Sequence, residues 1–320
     1  MRTPAADHEA VSLAPEPPTE GRGPTVSIVV PVGTGGAFTH ECLSALLRSI
    51  DAFEGEAEAV LVFNGLSTDQ RRGLDAVVAH PAVRLLEHPE RLGSAPARCL
   101  GIRTARADLI LLTDADCRVP VDWVATMAAA AAGHRVVSGH VESDDGPRNA
   151  YVRVQQEIDR LRNSAALPGG SRRYPTVSNM AAPSELLRLV DDDPLNTTED
   201  FQLSTELIAR EIPVVNLEHV VVTTQYPATF LRSVRRQERH AIGTAYAQRQ
   251  WSRSEWRRMG MAGPLALAAT SPFRAWRMRL RVHERAIAWA LRLCFAVQWA
   301  RHLIRLRGRP ARQTGGRASR

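Results

Sequence analysis

The run Val26-Ser27-Ile28-Val29-Val30-Pro31-Val32 is short, β-branched and almost wholly apolar. A strand with one wet face alternates apolar and polar residues. One that stays apolar along its length reads as a parallel strand covered on both faces. Gly33, Gly35 and Gly36 follow as a turn, and then Cys42, Leu43, Leu46, Leu47 and Ile50 fall at helical spacing over residues 38–50. The succession repeats. Residues 59–63 form a second buried run closed by Asn64-Gly65, a helix is predicted over about 69–79, and residues 83–87 form a third strand. Residues 94–105 have a helical pattern, residues 109–113 form a further buried strand, and Asp114-Ala115-Asp116 ends it. Residues 120–132 read as a helix with Pro120 at its start.

Strands alternating with helices predict a parallel α/β sheet, which binds ligands in the crevice at the carboxyl ends of its strands. The Gly-rich turn and the Asp pair both fall at that edge. Past residue 139 the alternation stops. Helices are expected at about 148–163, 184–190, 199–210 and 228–249, with short strands at 214–215 and 220–222 and a loop at 165–175. Residues 1–24, with five prolines and little apolar material, read as a disordered lead-in. The expected organisation is that lead-in, a domain over 25–250 and an Arg-rich helical extension over 251–320.

Asp114 and Asp116 are one residue apart at a strand end, so both side chains can point the same way. Two carboxylates aimed into one crevice repel unless a cation sits between them. Mn²⁺ and Mg²⁺ prefer oxygen ligands, often a carboxylate together with substrate phosphates. Asp is also common in ordinary turns, so the pair alone leaves both readings open.

The wider context is more specific. The string Ala97-Arg98-Cys99-Leu100-Gly101, then Ala107-Asp108 through Asp114-Ala115-Asp116, then Pro120 and Trp123-Val124, resembles the central signature of the family 2 glycosyltransferases. The first strand is similar to that family's first strand, and the resemblance runs from about 25 to about 245. It implies the GT-A fold, a Rossmann-like, mainly parallel central sheet flanked by helices, here with a helical basic C-terminal extension. It also implies inverting transfer of a sugar from a nucleotide-diphosphate donor. By the same resemblance, Pro31, Val32, Asn64, Arg98 and Asp114 would contact the donor. Asp116, with Asp114 at the metal or the ribose, would hold Mn²⁺ or Mg²⁺. Asn179 and Trp123 would lie on the acceptor side.

Glu199-Asp200 opens a predicted helix, where carboxylates offset the positive end of the helix dipole. An inverting transfer also needs a carboxylate to take the proton of the acceptor hydroxyl. In the resembled family an upstream Asn and a downstream Glu-Asp recur in this relation. That implies Asp200 as base and Glu199 as the carboxylate that orients the acceptor, the two roles being interchangeable on sequence alone. Arg236 and Arg239 share a helix face and could hold the leaving diphosphate; a solvated basic face is the plainer reading. Arg239 matches the Arg of the family's Gln-x-x-Arg-Trp motif, whereas Arg236 and His240 replace its Gln and Trp, which points to a non-processive enzyme. Arg172 and Arg173 are further candidates for phosphate. Phe63 stands where the family has an Asp that contacts the nucleobase. A UDP-sugar is the expected donor, and a lipid-linked sugar, a glycan or a small molecule the expected acceptor.

The chain has 320 residues, 44% hydrophobic and 23% charged, which excludes a disordered protein, a coiled coil or a repeat array as its main form. No uncharged apolar run approaches the ~18 residues of a spanning helix. The formal net charge is +7 and there is no lysine. Residues 251–320 hold sixteen Arg and two Glu, so the body before them is net acidic. Arg285, Arg292 and Arg301 interrupt the apolar residues of 273–310, which do not read as one clean stripe. Such a tail either packs on its own domain or lies on an anionic membrane surface, with 271–320 as the facing segment. No nucleic-acid module is present, so nucleic acid is not an expected partner. Cys42, Cys99, Cys117 and Cys294 lack CxxC spacing and read as reduced thiols. With no signal-peptide pattern, a cytoplasmic protein, peripheral on the inner face of the membrane, is the expectation. Two other functions fit the pattern less well. A nucleotidyltransferase would carry a basic residue beside Gly33-Thr34-Gly35-Gly36, and a non-catalytic membrane scaffold would have no use for the retained carboxylates.

Overall fold

The computed structural model describes residues 23–133, 136–144, 149–163, 175–190, 192–193, 199–250 and 263–307. Residues 1–22 of the lead-in, Arg172, Arg173 and the loop around them lie outside the described residues. The strands are β1 (Val26–Val32), β2 (Ala57–Asn64), β3 (Val83–His88), β4 (Leu109–Thr113), β5 (Cys117–Arg118), β6 (Val136–Ser143), β7 (Asn179–Pro183) and β8 (Val214–Thr224). The helices are α1 (Ala37–Asp51), α2 (Thr68–Arg72), α3 (Asp75–Val78), α4 (Ser94–Thr104), α5 (Trp123–Ala131), α6 (Ala150–Asn163), α7 (Ser184–Leu187), α8 (Glu199–Ala209), α9 (Phe230–Gln250), α10 (Pro264–Trp276) and α11 (Val282–Leu306).

One eight-stranded sheet runs in the order β3-β2-β1-β4-β7-β6-β8-β5. The first four strands are parallel, as the strand–helix alternation predicts. Alternate side chains explain the apolar runs. Ile28, Val30 and Val32 pack with Leu43 and Leu46 of α1 and with Trp123 and Met127 of α5. Val29 points the other way, into a second core with Ala97 and Ile102 of α4 and with Leu203 and Leu207 of α8.

The second half departs from the expected parallel pattern. β7 is antiparallel to both β4 and β6, β6 and β8 are parallel, and β5 is antiparallel to β8. The two short strands expected near 214 and 220 are one strand, β8, whose register with β6 slips between Gly139 and His140. A Cβ at Gly139 would collide with the side-chain amide of Asn179 and the carbonyl of Val220, so the slip needs a residue without one. The helix expected over 69–79 is two short pieces, parted at Gly73-Leu74. The helix expected from Pro120 starts at Trp123, whose amide donates to the Pro120 carbonyl at 3.1 Å.

The C-terminal helices dock on the body. Trp299 and Leu306 of α11 pack against Ala241, Ala245 and Tyr246 of α9. Val154 of α6 packs with Ala275, Met278, Ala288 and Leu291. Two buried carboxylates pin the contact. Glu284 accepts from the Arg153 guanidinium at 2.6 Å, and Glu157 accepts from the Arg279 amide at 2.9 Å. The apolar residues of α11 form two faces rather than an irregular scatter, because a second set, with Trp289, Leu293 and Val297, points to solvent. No helix among the described residues is long and apolar enough to cross a membrane.

Candidate active site

The chain leaves β4 at Thr113 and turns at the carboxyl edge of the parallel strands, where the Cys117 amide donates to the Asp114 carbonyl at 3.0 Å. Asp114, Asp116 and Cys117 offer ligand atoms that all lie within 4.8 Å of one another. Burial holds the Cys117 thiol well above its ordinary range, so it stays protonated and the usable donors are the two carboxylates. Asp116 reaches solvent at the crevice, but the protein packed around it, and then the charge of Asp114, push its pKa up to about 6. Two crowded oxygen donors of like charge fit a hard divalent cation.

Arginines oppose this pair. Arg236 and Arg239 of α9 are close enough to Asp116 to pull its pKa back down. Burial, and then the neighbouring Arg236 charge, lower the pKa of Arg239, as expected for cations crowded together to meet an anion. Arg236 lies 5.0 Å over the Tyr226 ring and 3.3 Å from Asp159, which fixes its direction. Burial, and next the Asp159 charge, raise the Tyr226 pKa, so its phenol stays neutral.

A third cation, Arg91, went unnoticed in the sequence. It sits in the loop between β3 and α4. Its guanidinium comes within 3.3 Å of where a Cβ would stand on Gly33, and its charge also bears on Arg239. The available signal was a basic residue in a strand-to-helix loop at the ligand edge of a parallel sheet.

Several of the expected contact residues are buried. Asn64 is buried, and its amide is fully engaged: Nδ2 donates to the Gly93 carbonyl at 2.9 Å and Oδ1 accepts from the Leu92 amide at 2.6 Å. These bonds tie Asn64 to the loop that carries Arg91. Gly65 follows with φ +66°, and the Arg91 amide nitrogen lies 2.7 Å from where its Cβ would be, so the tight turn excludes a side chain. Pro31 and Val32 are buried at the end of β1. Phe63 is 3% exposed in the α1 and α5 core and cannot stack on a base.

Asn179 and Trp123, expected on the acceptor side, are both completely buried. The Trp123 indole donates to Asn179 Oδ1 at 2.9 Å, while Asn179 Nδ2 donates to the carbonyls of His140 and Val220 at 2.8 and 3.0 Å. The pair ties α5, β6, β7 and β8 together and has no surface to offer an acceptor. Arg98, expected against phosphate, is 3% exposed and pairs through its two terminal nitrogens with Asp114 and Glu199. It therefore joins the Asp pair to the start of α8, where Asp200 is partly open to solvent.

Comparison with known proteins bears on family and fold. The description of glycosyl transferase family 2 matches residues 27–189, and that of glycosyl transferase family group 2 matches residues 109–301. The pre-mycofactocin glycosyltransferase of Mycobacterium tuberculosis, in each of two strains, is 24% identical over 212 residues, 62% of this chain. Those residues cover 42% of that protein, so the chain spans under half the length of the curated relatives it matches. The mannosyltransferase PcManGT of Pyrobaculum calidifontis, solved in complex with GDP-Man and Mn²⁺, superposes with a TM-score of 0.62 at 20% identity, covering 88% of this chain and 87% of that one. That likeness supports the GT-A architecture, and the match over residues 27–189 shows that the chain belongs to glycosyl transferase family 2.

Proposed function

We propose that this protein transfers a sugar, with inversion, from a nucleotide-diphosphate donor to an acceptor hydroxyl, assisted by Mn²⁺ or Mg²⁺ and without processive polymerisation. The observation that carries the reading is the Arg98 bridge. It brings the strand-end pair Asp114 and Asp116 together with the Glu199-Asp200 helix start, although Glu199 is 101 residues from Arg98 in the chain.

In this mechanism Asp116 and Asp114 would hold the cation. When bound, the cation supplies positive charge against the departing diphosphate. Arg236, Arg239 and Arg91 bind and orient the same diphosphate through charge-assisted hydrogen bonds. Asp200 takes the proton of the acceptor hydroxyl as that oxygen bonds to the anomeric carbon. The bond from that carbon to the phosphate oxygen breaks, and the nucleoside diphosphate leaves. The choice of Asp200 over Glu199 as base rests on exposure: Glu199 is buried, whereas Asp200 is partly open to solvent. Glu199 is then a positioning residue that seats α8 against Arg98.

Buried Phe63 gives no handle on the base, and PcManGT was solved with a guanosine donor, so the test covers both bases. Thermal unfolding is followed with UDP- and GDP-sugars, each with and without Mn²⁺. A ligand that binds only the folded state raises the melting temperature by mass action. The expected result is a rise with one class of donor that requires the metal and is absent in Asp116→Ala. A rise equal with and without metal would count against the assignment.

A further inference from the structure

Sixteen of the forty-one arginines fall in residues 251–320, and the glycosyl-transfer reading uses none of them. Their described part is the α10–α11 pair. The inner face of this pair is core, as set out above, but its outer face is also apolar. Along α11, Val282, Trp289, Leu293, Val297 and Ile304 recur at intervals of four and seven and are all exposed. On α10, Leu265 is 83%, Phe273 60% and Trp276 67% exposed. Leu265 of α10 joins Val297 and Ile304 of α11 in lining one groove of about 520 Å³, with Arg301 and Arg305 at its edge. The stripes of the two helices therefore meet on one side of the molecule.

The charge on this surface has one sign. Between residues 263 and 307 seven arginines are exposed, and the sole carboxylate, Glu284, is buried against Arg153. Arg277 lies 5.6 Å over the Phe273 ring. A helix that is apolar on two opposite faces is normally buried all round. An apolar patch rimmed by polar groups marks an interaction site.

We infer that the outer face of α10 and α11 docks on the surface of an anionic phospholipid bilayer, parallel to it. The apolar stripes and the two exposed tryptophans enter the headgroup boundary, and the arginines meet lipid phosphates. A second copy of the chain fits poorly, because like-charged arginines would face each other across a two-fold contact. Nucleic acid fits poorly, because the middle of the patch is apolar. Docking has a structural consequence for the enzyme. α11 packs on α9 through Trp299, and α9 carries Arg236 and Arg239, so a bound bilayer would hold the diphosphate arginines at a fixed height above it. The inference does not depend on the donor chemistry.

Deleting the segment would be uninformative, because Trp299 and Leu291 belong to the core. Exposed positions are changed instead. The full chain is sedimented with vesicles of phosphatidylcholine alone and of phosphatidylcholine mixed with phosphatidylglycerol, at low and high salt, with thermal unfolding as the check on folding. The expected result is binding at least about tenfold tighter to the anionic vesicles, weakened by salt. Arg301→Glu with Arg305→Glu should lose that preference by a similar factor, and Trp276→Ser with Trp289→Ser should lose binding to both vesicles. Absence of vesicle binding at low salt, or binding unchanged in both variants, would overturn the inference. So would a concentration-dependent dimer seen by light scattering and abolished by Val297→Asp, or tighter binding to DNA than to anionic vesicles.

Discussion

Arg98 and Glu199 form a buried ion pair between α4 and the first residue of α8, and the same guanidinium also holds Asp114. Truncating the arginine would leave Glu199 charged and unpaired in the interior. We predict that Arg98→Met destabilises the fold by about 3–5 kcal/mol, the cost of breaking a buried pair from one side. Urea unfolding measures it. Arg98→Lys keeps the charge but cannot serve both carboxylates with one fork, so it should fold better than Arg98→Met yet turn over donor more slowly than wild type. Equal turnover in Arg98→Lys and wild type would remove the bridge from the account.

The contact between Asn179 and Trp123 makes a different prediction, because neither residue reaches the crevice. Asn179→Ala leaves the indole N–H and two backbone carbonyls without their partner. Unfolding free energy should fall by at least about 2 kcal/mol. In the protein that remains folded, KM for the acceptor should be unchanged. A raised acceptor KM at unchanged stability would restore Asn179 to the acceptor side.

Arg91 and Asn64 should act in series. Arg91→Ala removes a charged donor from the diphosphate, so donor KM should rise about tenfold, in line with one charge-assisted hydrogen bond. Asn64→Ala releases the loop that carries Arg91 and should shift the same constant in the same direction, with little further loss when the two changes are combined. Additive losses in the double variant would mean that Asn64 touches the donor itself.

The docking of the C-terminal helices should be sensitive to acid. The Arg160 guanidinium foremost, and the Arg279 amide, hold the Glu157 carboxyl below its ordinary range. Burial by itself would raise Glu284, but the Arg281 amide and the Arg153 guanidinium outweigh it and leave it lowered as well. A carboxylate whose folded pKa is depressed stabilises the fold above its unfolded value, about 4.3 for Glu, and loses that contribution as pH falls through the folded value. Melting temperature should therefore drop as pH falls below about 4.3, and Glu157→Gln with Glu284→Gln should show a shallower drop. Parallel pH profiles for wild type and the double variant would contradict this.

The first half of the sheet was legible because β1, β2 and β4 are covered on both faces, which fills them with apolar residues broken only by a few buried polar groups such as Ser27, Glu58 and Thr113. β7 was not. Asn-Met-Ala-Ala-Pro carries no β-branched residue, and what makes it a strand is the company of β4 and β6 on either side. The carboxylates of the site were legible as pairs, since two acids at a strand end and two at a helix start are visible as spacing. The directions of Asn64, Arg98, Trp123 and Asn179 were not. A polar side chain at the end of a strand or within a helix either faces the ligand or ties the scaffold, and partners 16 to 101 residues away decide which. The two faces of α11 were hidden for a related reason. An apolar residue facing solvent and one facing the core look the same until the packing of α9 is known.

The central claim is that Asp116 and Asp200 serve one transfer, Asp116 on the donor side and Asp200 on the acceptor hydroxyl. It is tested by following release of nucleoside diphosphate from the donor identified by thermal shift, with Mn²⁺ present and after chelation, in wild type, Asp116→Ala and Asp200→Asn. The account predicts release that needs the metal and is abolished in both variants, with Asp200→Asn still showing the metal-dependent thermal shift. Full release in both variants, or release of pyrophosphate in place of nucleoside diphosphate, would contradict it.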